Sequence, residues 1–156
     1  MKTLLSVLLI AVASSVNAAM GDEVDRSLAQ TLFNTVDSNK KGYLHLGDVE
    51  AFRQLVFLGM DVDADQTITQ DEYMAYHFGD VSLAQDLGKA REYDAARKVI
   101  FHFWDLDSDG QVNEVEHRRV TQYDFGRADI DSDGVLRFDE FYAHFTPHAA
   151  IRAAMR

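Results

Sequence analysis

Four short acidic segments recur along this chain at fixed offsets, and a fixed internal period limits the possible folds more than any single residue can. The segments are Asp37-Ser-Asn39-Lys-Lys41-Gly42, Asp61-Val-Asp63-Ala-Asp65-Gln66, Asp105-Leu-Asp107-Ser-Asp109-Gly110 and Asp129-Ile-Asp131-Ser-Asp133-Gly134. The step from Asp37 to Asp61 equals that from Asp105 to Asp129, and the longer step from Asp37 to Asp105 equals that from Asp61 to Asp129. At the eighth position stand the apolar residues Leu44, Ile68, Val112 and Leu136; at the twelfth stand Asp48, Glu72, Glu116 and Glu140. The chain therefore reads as two tandem halves, 19–80 and 81–146. Each half has two acidic loops (37–48 and 61–72, then 105–116 and 129–140), and a tail follows over 147–156.

The flanks carry helical spacing. Leu28, Leu32, Phe33 and Val36 precede loop one, and Val99, Ile100, Phe103 and Trp104 precede loop three. Beyond the loops, Val49 with Phe52, Tyr73 with Tyr76, and Phe141 with Phe145 supply further apolar faces. This aromatic set reads as core, and the expected class is all-α. In the tail, Thr146-Pro147 marks a helix start, and the alanine-rich stretch after it suggests a short, loosely docked helix.

The loop pattern D-x-[DN]-x-[DN]-G-x5-E resembles the EF-hand calcium loop, and the likeness covers nearly all of residues 22–145. Calcium is a hard cation that takes six to eight oxygens, which a short loop must supply from one side. The resemblance implies carboxylates at positions 1, 3 and 5, a backbone carbonyl at 7 and a bidentate glutamate at 12. The implied ligands are Asp61, Asp63, Asp65, Thr67 and Glu72 in loop two, and Asp105, Asp107, Asp109, Gln111 and Glu116 in loop three. In loop four they are Asp129, Asp131, Asp133, Val135 and Glu140. The eighth residue is the family's site of a β-bridge to a neighbouring loop.

The loops are unequal. Loop three is complete, with Asn113 at the water-holding ninth position, whereas Arg137 takes that place in loop four and leaves the corner to solvent. Loop two has Gln66 where the sixth-position glycine belongs, a left-handed residue that costs about 1–2 kcal/mol. Loop one has Lys41 at position 5 and the short Asp48 at position 12. It reads as a structural loop whose ammonium stands in for an ion, the rival being a weak, magnesium-tolerant site. The expected order of affinity is loop three, four, two, then one, with about three calcium ions bound.

Only Val49 to Met60 separates the first two loops, and only His117 to Ala128 the last two; the first stretch carries both an outgoing and an incoming helix pattern. A single shared helix over about 46–58 would hold its two loops apart at opposite ends. The bridges are then expected between halves, most simply between the counterparts related by the longer step, loop one with three and loop two with four. Gly59 is the point where the chain could instead fold back.

Composition narrows the function classes. With 15 basic against 26 acidic residues the formal charge is −11, which repels polyanions and speaks against a nucleic-acid partner. The absence of cysteine excludes disulfides, thiolate metal sites and cysteine nucleophiles. Residues 1–18 read as a signal peptide, with Lys2, an apolar run from Leu4 to Val12 and small residues before cleavage after Ala18. That run is too short to span a bilayer, so no membrane span is expected and the protein is placed as secreted or periplasmic. The six histidines, His45, His77, His102, His117, His144 and His148, show no metal-binding spacing on one helix and read as solvated or half-buried; His117-Arg118-Arg119 reads as a salt-bridged, solvated stretch. No activated serine, phosphate-cradling loop or zinc-protease motif is present, and no enzyme activity is expected. What remains is a calcium buffer, a sensor or a calcium-stabilised module. The alternative is a calcium-loaded adaptor for an unidentified extracellular or periplasmic protein.

Overall fold

The computed structural model describes residues 23–77 and 80–156. The expected signal peptide, residues 1–18, lies outside them. The chain is predominantly helical. A helix over residues 23–36 (α1) leads into β1 (Leu44–His45), α2 (Leu46–Met60), β2 (Thr67–Thr69), α3 (Gln70–Ala75), α4 (Val81–Asp86) and α5 (Ala90–Trp104). Then come β3 (Gln111–Asn113), α6 (Glu114–Ala128), β4 (Val135–Leu136), α7 (Phe138–His144) and α8 (Thr146–Met155). No helix among the described residues is long and apolar enough to cross a membrane.

The shared helix is present in both halves: α2 and α6 each run 15 residues from one loop to the next. At 1.5 Å per residue each is about 22 Å long, so the loops at its two ends cannot meet. Gly59 stays helical, and a Cβ there would lie 3.0 Å from the Tyr76 ring. Glycine at this point makes room for an aromatic ring against the last turn of α2.

The strands then pair across halves. β1 pairs antiparallel with β4 (Leu44↔Leu136), and β2 with β3 (Ile68↔Val112). Bridging between halves is therefore as expected, but the partners are not the counterparts of equal offset: loop one meets loop four, and loop two meets loop three. The cause is the packing of α2 against α6. The loop-one end of α2 lies at the loop-four end of α6, so the two helices run antiparallel, and exchanging the halves maps one bridge onto the other.

Two apolar clusters follow from this interleaving, and each draws on both halves. One joins Phe57, Met60, Ile68 and Tyr73 to Phe101, Trp104 and Val112. The other joins Phe33, Val36, Leu44 and Val49 to Phe125, Leu136 and Phe141. The inward face of α5 is Tyr93, Arg97, Ile100, Phe101 and Trp104. This rotates Val99 and Phe103, expected in the core, out to solvent. The tail corrects in the opposite sense: α8 packs against α5 and buries Ile151 and Met155 within the first cluster, so it is a core element.

Candidate metal centre

Each acidic loop begins where a helix ends. The first-position amides of Asp37, Asp61, Asp105 and Asp129 donate to the carbonyls of Phe33, Phe57, Phe101 and Phe125, at 2.8, 2.9, 3.0 and 3.0 Å. All four phenylalanines are buried. They form a fourth repeated position, legible in the sequence, that anchors every loop to the core.

All four loops share one backbone path. The fourth residue is left-handed in each (Lys40, Ala64, Ser108 and Ser132), and so is the sixth (Gly42 at φ 81°, Gln66 at 73°, Gly110 at 89°, Gly134 at 82°). Gln66 thus adopts the glycine conformation in spite of its side chain, at a cost of about 1 kcal/mol or more. The turn is held by the first-position carboxylate, which accepts the amides of residues five and six. The distances are 2.9 and 2.7 Å in loop one, 3.1 and 3.1 Å in loop two, and 3.1 and 3.0 Å in both loops three and four.

The twelfth-position glutamate closes the loop from the other side. One oxygen accepts the amide of position two (Val62, Leu106 or Ile130, at 2.9, 2.8 and 3.2 Å), and the other accepts that of position nine (Thr69, Asn113 or Arg137, at 2.8, 2.9 and 3.0 Å). In loops two and three the same residue completes a capping box, because Thr69 and Asn113 accept the amides of Glu72 and Glu116. One carboxylate therefore both spans the loop and starts α3 or α6.

This geometry gathers Asp61, Asp63 and Glu72, then Asp105, Asp107 and Glu116, then Asp129, Asp131 and Glu140. In each group the carboxylate oxygens lie within 4.8 Å of one another and could hold a metal ion. Every donor is a carboxylate oxygen, with no sulfur or imidazole, which suits a hard divalent cation over a transition metal. The fifth-position acids Asp65, Asp109 and Asp133 fall outside these groups and accept the seventh-position amides of Thr67, Gln111 and Val135 at 2.8, 2.9 and 3.1 Å. Those three residues stand at the first position of β2, β3 and β4. Loop three is the most enclosed, with Asp105 and Glu116 both buried.

The two bridged ends differ in charge. At the loop-two and loop-three end, Asp65 is held below the usual carboxylate value by the hydroxyl and amide of Thr67. For Glu72, burial acts upward, but the Thr69 amide and hydroxyl and the Val62 amide outweigh it. At the other end, each loop contains a cation. Lys41 Nζ lies 2.5 Å from Asp48, whose carboxyl burial raises while Lys41 and the His45 amide hold it below its ordinary value. Asp48 also accepts the His45 amide, at 2.8 Å, the ninth-position bond of the other loops. In loop four, Arg137 is no bystander: its guanidinium lies 2.6 Å from Asp133 and 3.7 Å from Asp131.

His117 corrects the reading of a solvated stretch. Arg118 does pair with Glu114, at 3.3 Å, but the imidazole of His117 is buried against Phe57 and Trp104. Burial, together with the charge of Arg53, pushes it down to about 3. No protein-family model and no curated protein matches this chain.

Proposed function

We propose that the protein binds calcium in the manner of EF-hand proteins, through loops two, three and four, and that it works outside the cytoplasm. One observation carries the reading: three all-carboxylate groups sit in loops of one repeated backbone, each closed by an aspartate at position 1 and a glutamate at position 12. Each loop presents oxygens from one side, as a hard cation of high coordination number requires. Loop one holds its own ammonium, Lys41, so the expected stoichiometry is three. Residues 1–18 support export, and extracellular modules of this kind bind at about 10⁻⁴–10⁻³ M, where calcium is also a structural brace. Isothermal calorimetry on the mature chain tests this. Three sites are expected, with magnesium much weaker. Four comparable sites would overturn the reading of Lys41, and no calcium heat at millimolar concentration would overturn the function.

Exposed Val99 and Phe103 on α5, one helical turn apart on one face, favour a second reading, the calcium-loaded adaptor. An adaptor should bind an apolar dye equally with and without calcium, whereas a sensor should gain dye binding on loading.

A further inference from the structure

Loop one follows the same backbone path as the other three and carries a cation of its own inside it. The Lys41 ammonium lies 2.5 Å from Asp48 Oδ2 and 5.3 Å from the centroid of the Tyr43 ring. The side chains of Lys41 and Asp48 are only 24% and 15% exposed, so water and salt screen this pair less than the more exposed Arg137 pair of loop four. The same oxygen of Asp48 accepts the amide of His45, at 2.8 Å. His45 stands opposite Val135 in the β1–β4 ladder, and beside them Leu44 and Leu136 are fully buried. Val135 in turn donates its amide to Asp133, at 3.1 Å. A continuous path therefore runs from the Lys41 ammonium through Asp48 and His45 to Val135, whose carbonyl is the implied seventh-position ligand of loop four. The other bridged end has no such fixture. There Thr69 stands opposite Gln111 and Thr67 opposite Asn113, and the ninth-position amides are held by Glu72 and Glu116. Both glutamates belong to the carboxylate groups that could hold a metal, so each serves an ion as well as its strand. Asp48 belongs to no such group among the described residues and is committed to Lys41.

On the reading of loop four as a calcium site, we infer that Lys41 is its positioning residue, holding β1 so that Val135 is set in place before an ion arrives. A strand already ordered by its neighbour need not be ordered at binding, so Lys41 tightens loop four without touching it. Because loop one is filled by its own ammonium, loop four binds as a lone site, with no dependence on the ion content of its bridged partner. Loops two and three, each bridged to a partner with metal-binding carboxylates of its own, are the internal comparison.

Two measurements on the mature chain test this. Amide hydrogen exchange in chelator reads the bridges with no ion bound, and a site-resolved NMR calcium titration reads each loop. Lys41→Met keeps most of the side chain's length and removes its charge. It should speed exchange of the β1–β4 amides in chelator about fivefold or more and leave those of β2–β3 unchanged. The same variant should weaken calcium at loop four roughly three- to tenfold, with loops two and three within about twofold of the parent. Lys41→Arg should reverse most of both effects, because it returns a cation to Asp48. Exchange at β1–β4 that Lys41→Met leaves unaltered overturns the role of Lys41, whether or not calcium binds. So does a loop-four affinity that stays at the parent value, or equal weakening at all three loops, which is a general loss of fold. Calcium binding at no loop of the parent chain overturns the proposed function instead, and the exchange data still decide whether Lys41 holds the bridge.

Discussion

Lys41, Gln66 and Arg137 each depart from the loop pattern at one position, and the structure separates their effects. Lys41 replaces a donor with an ion pair inside loop one. Gln66 keeps the backbone path at the expense of strain. Arg137 leaves the path intact and competes for Asp133 and Asp131, but its guanidinium is more than half exposed. Exposed pairs contribute little, so Arg137→Gln should raise loop-four affinity only roughly two- to fivefold. Gln66→Gly should raise loop-two affinity by a similar factor, since it relieves about 1 kcal/mol of left-handed strain. Calorimetry on the two variants should show each gain confined to its own bridged end; a gain at both ends would mean the pairing of loops is wrong. Asp124 on α6 offers a test that does not depend on metal. Burial raises its carboxyl, more than the Thr146 hydroxyl and Arg127 lower it. A raised acid stabilises the fold when protonated, and that contribution is lost as pH rises through the folded value. Asp124→Asn should therefore raise Tm at pH 7, with the advantage shrinking as pH falls to about 4. Thermal melts of both proteins at the two pH values decide it, and a lower Tm for the variant at pH 7 would show that the charged form is favoured.

Among the elements, the loops and the shared helix were legible because both are local. A short window fixes the loop pattern, and Val49 to Met60 carries one uninterrupted apolar period. The partners of the bridges were not legible, because the equal offset between halves is a distance along the chain, while pairing is set by the antiparallel docking of α2 on α6. Buried Arg53, Arg97 and His117 were also missed, since charged side chains on helices are ordinarily solvated. Arg97 shows what such a residue can do: its guanidinium donates to the carbonyls of Tyr73, Met74 and Tyr76, so it caps the end of α3 from α5 and fixes the outgoing helix of loop two. The β2–β3 bridge lets loops two and three act as one unit, because Ile68 and Val112 are fully buried against each other across the ladder. Ile68→Ala should cost about 2–4 kcal/mol of stability and weaken calcium at loop three as well as at loop two, leaving loop four nearly unchanged. Site-resolved NMR titration reads this directly. Equal weakening at loop four would mean a global loss of fold, and none at loop three would mean the bridge does not couple the sites.

At the scale of the whole molecule, neither half encloses a core of its own. Both bridges, both apolar clusters and the contact of α2 with α6 run between halves. Polar links cross as well: Arg53 to Glu114 at 3.1 Å, Arg26 to Asp139 at 2.7 Å and Tyr142 to Asp25 at 3.0 Å. Residues 19–80 alone should therefore expose the faces of α2, Leu44 and Ile68 that the second half covers. The exchange symmetry gives such a fragment one remedy, which is a second copy of itself, with loop one of each copy against loop two of the other. The same holds for residues 81–156. Each fragment should be poorly ordered when dilute and should dimerise when concentrated, and an equimolar mixture should favour the mixed pair. The preference follows from Arg53, which finds Glu114 only on the other half. Light scattering and circular dichroism across a dilution series, with a calcium titration of the mixture, would show this. Mixed fragments should recover the affinity of the intact chain. A fragment that stays monomeric, helical and calcium-binding at low concentration would mean that each half folds by itself and that the interleaving adds little to its stability.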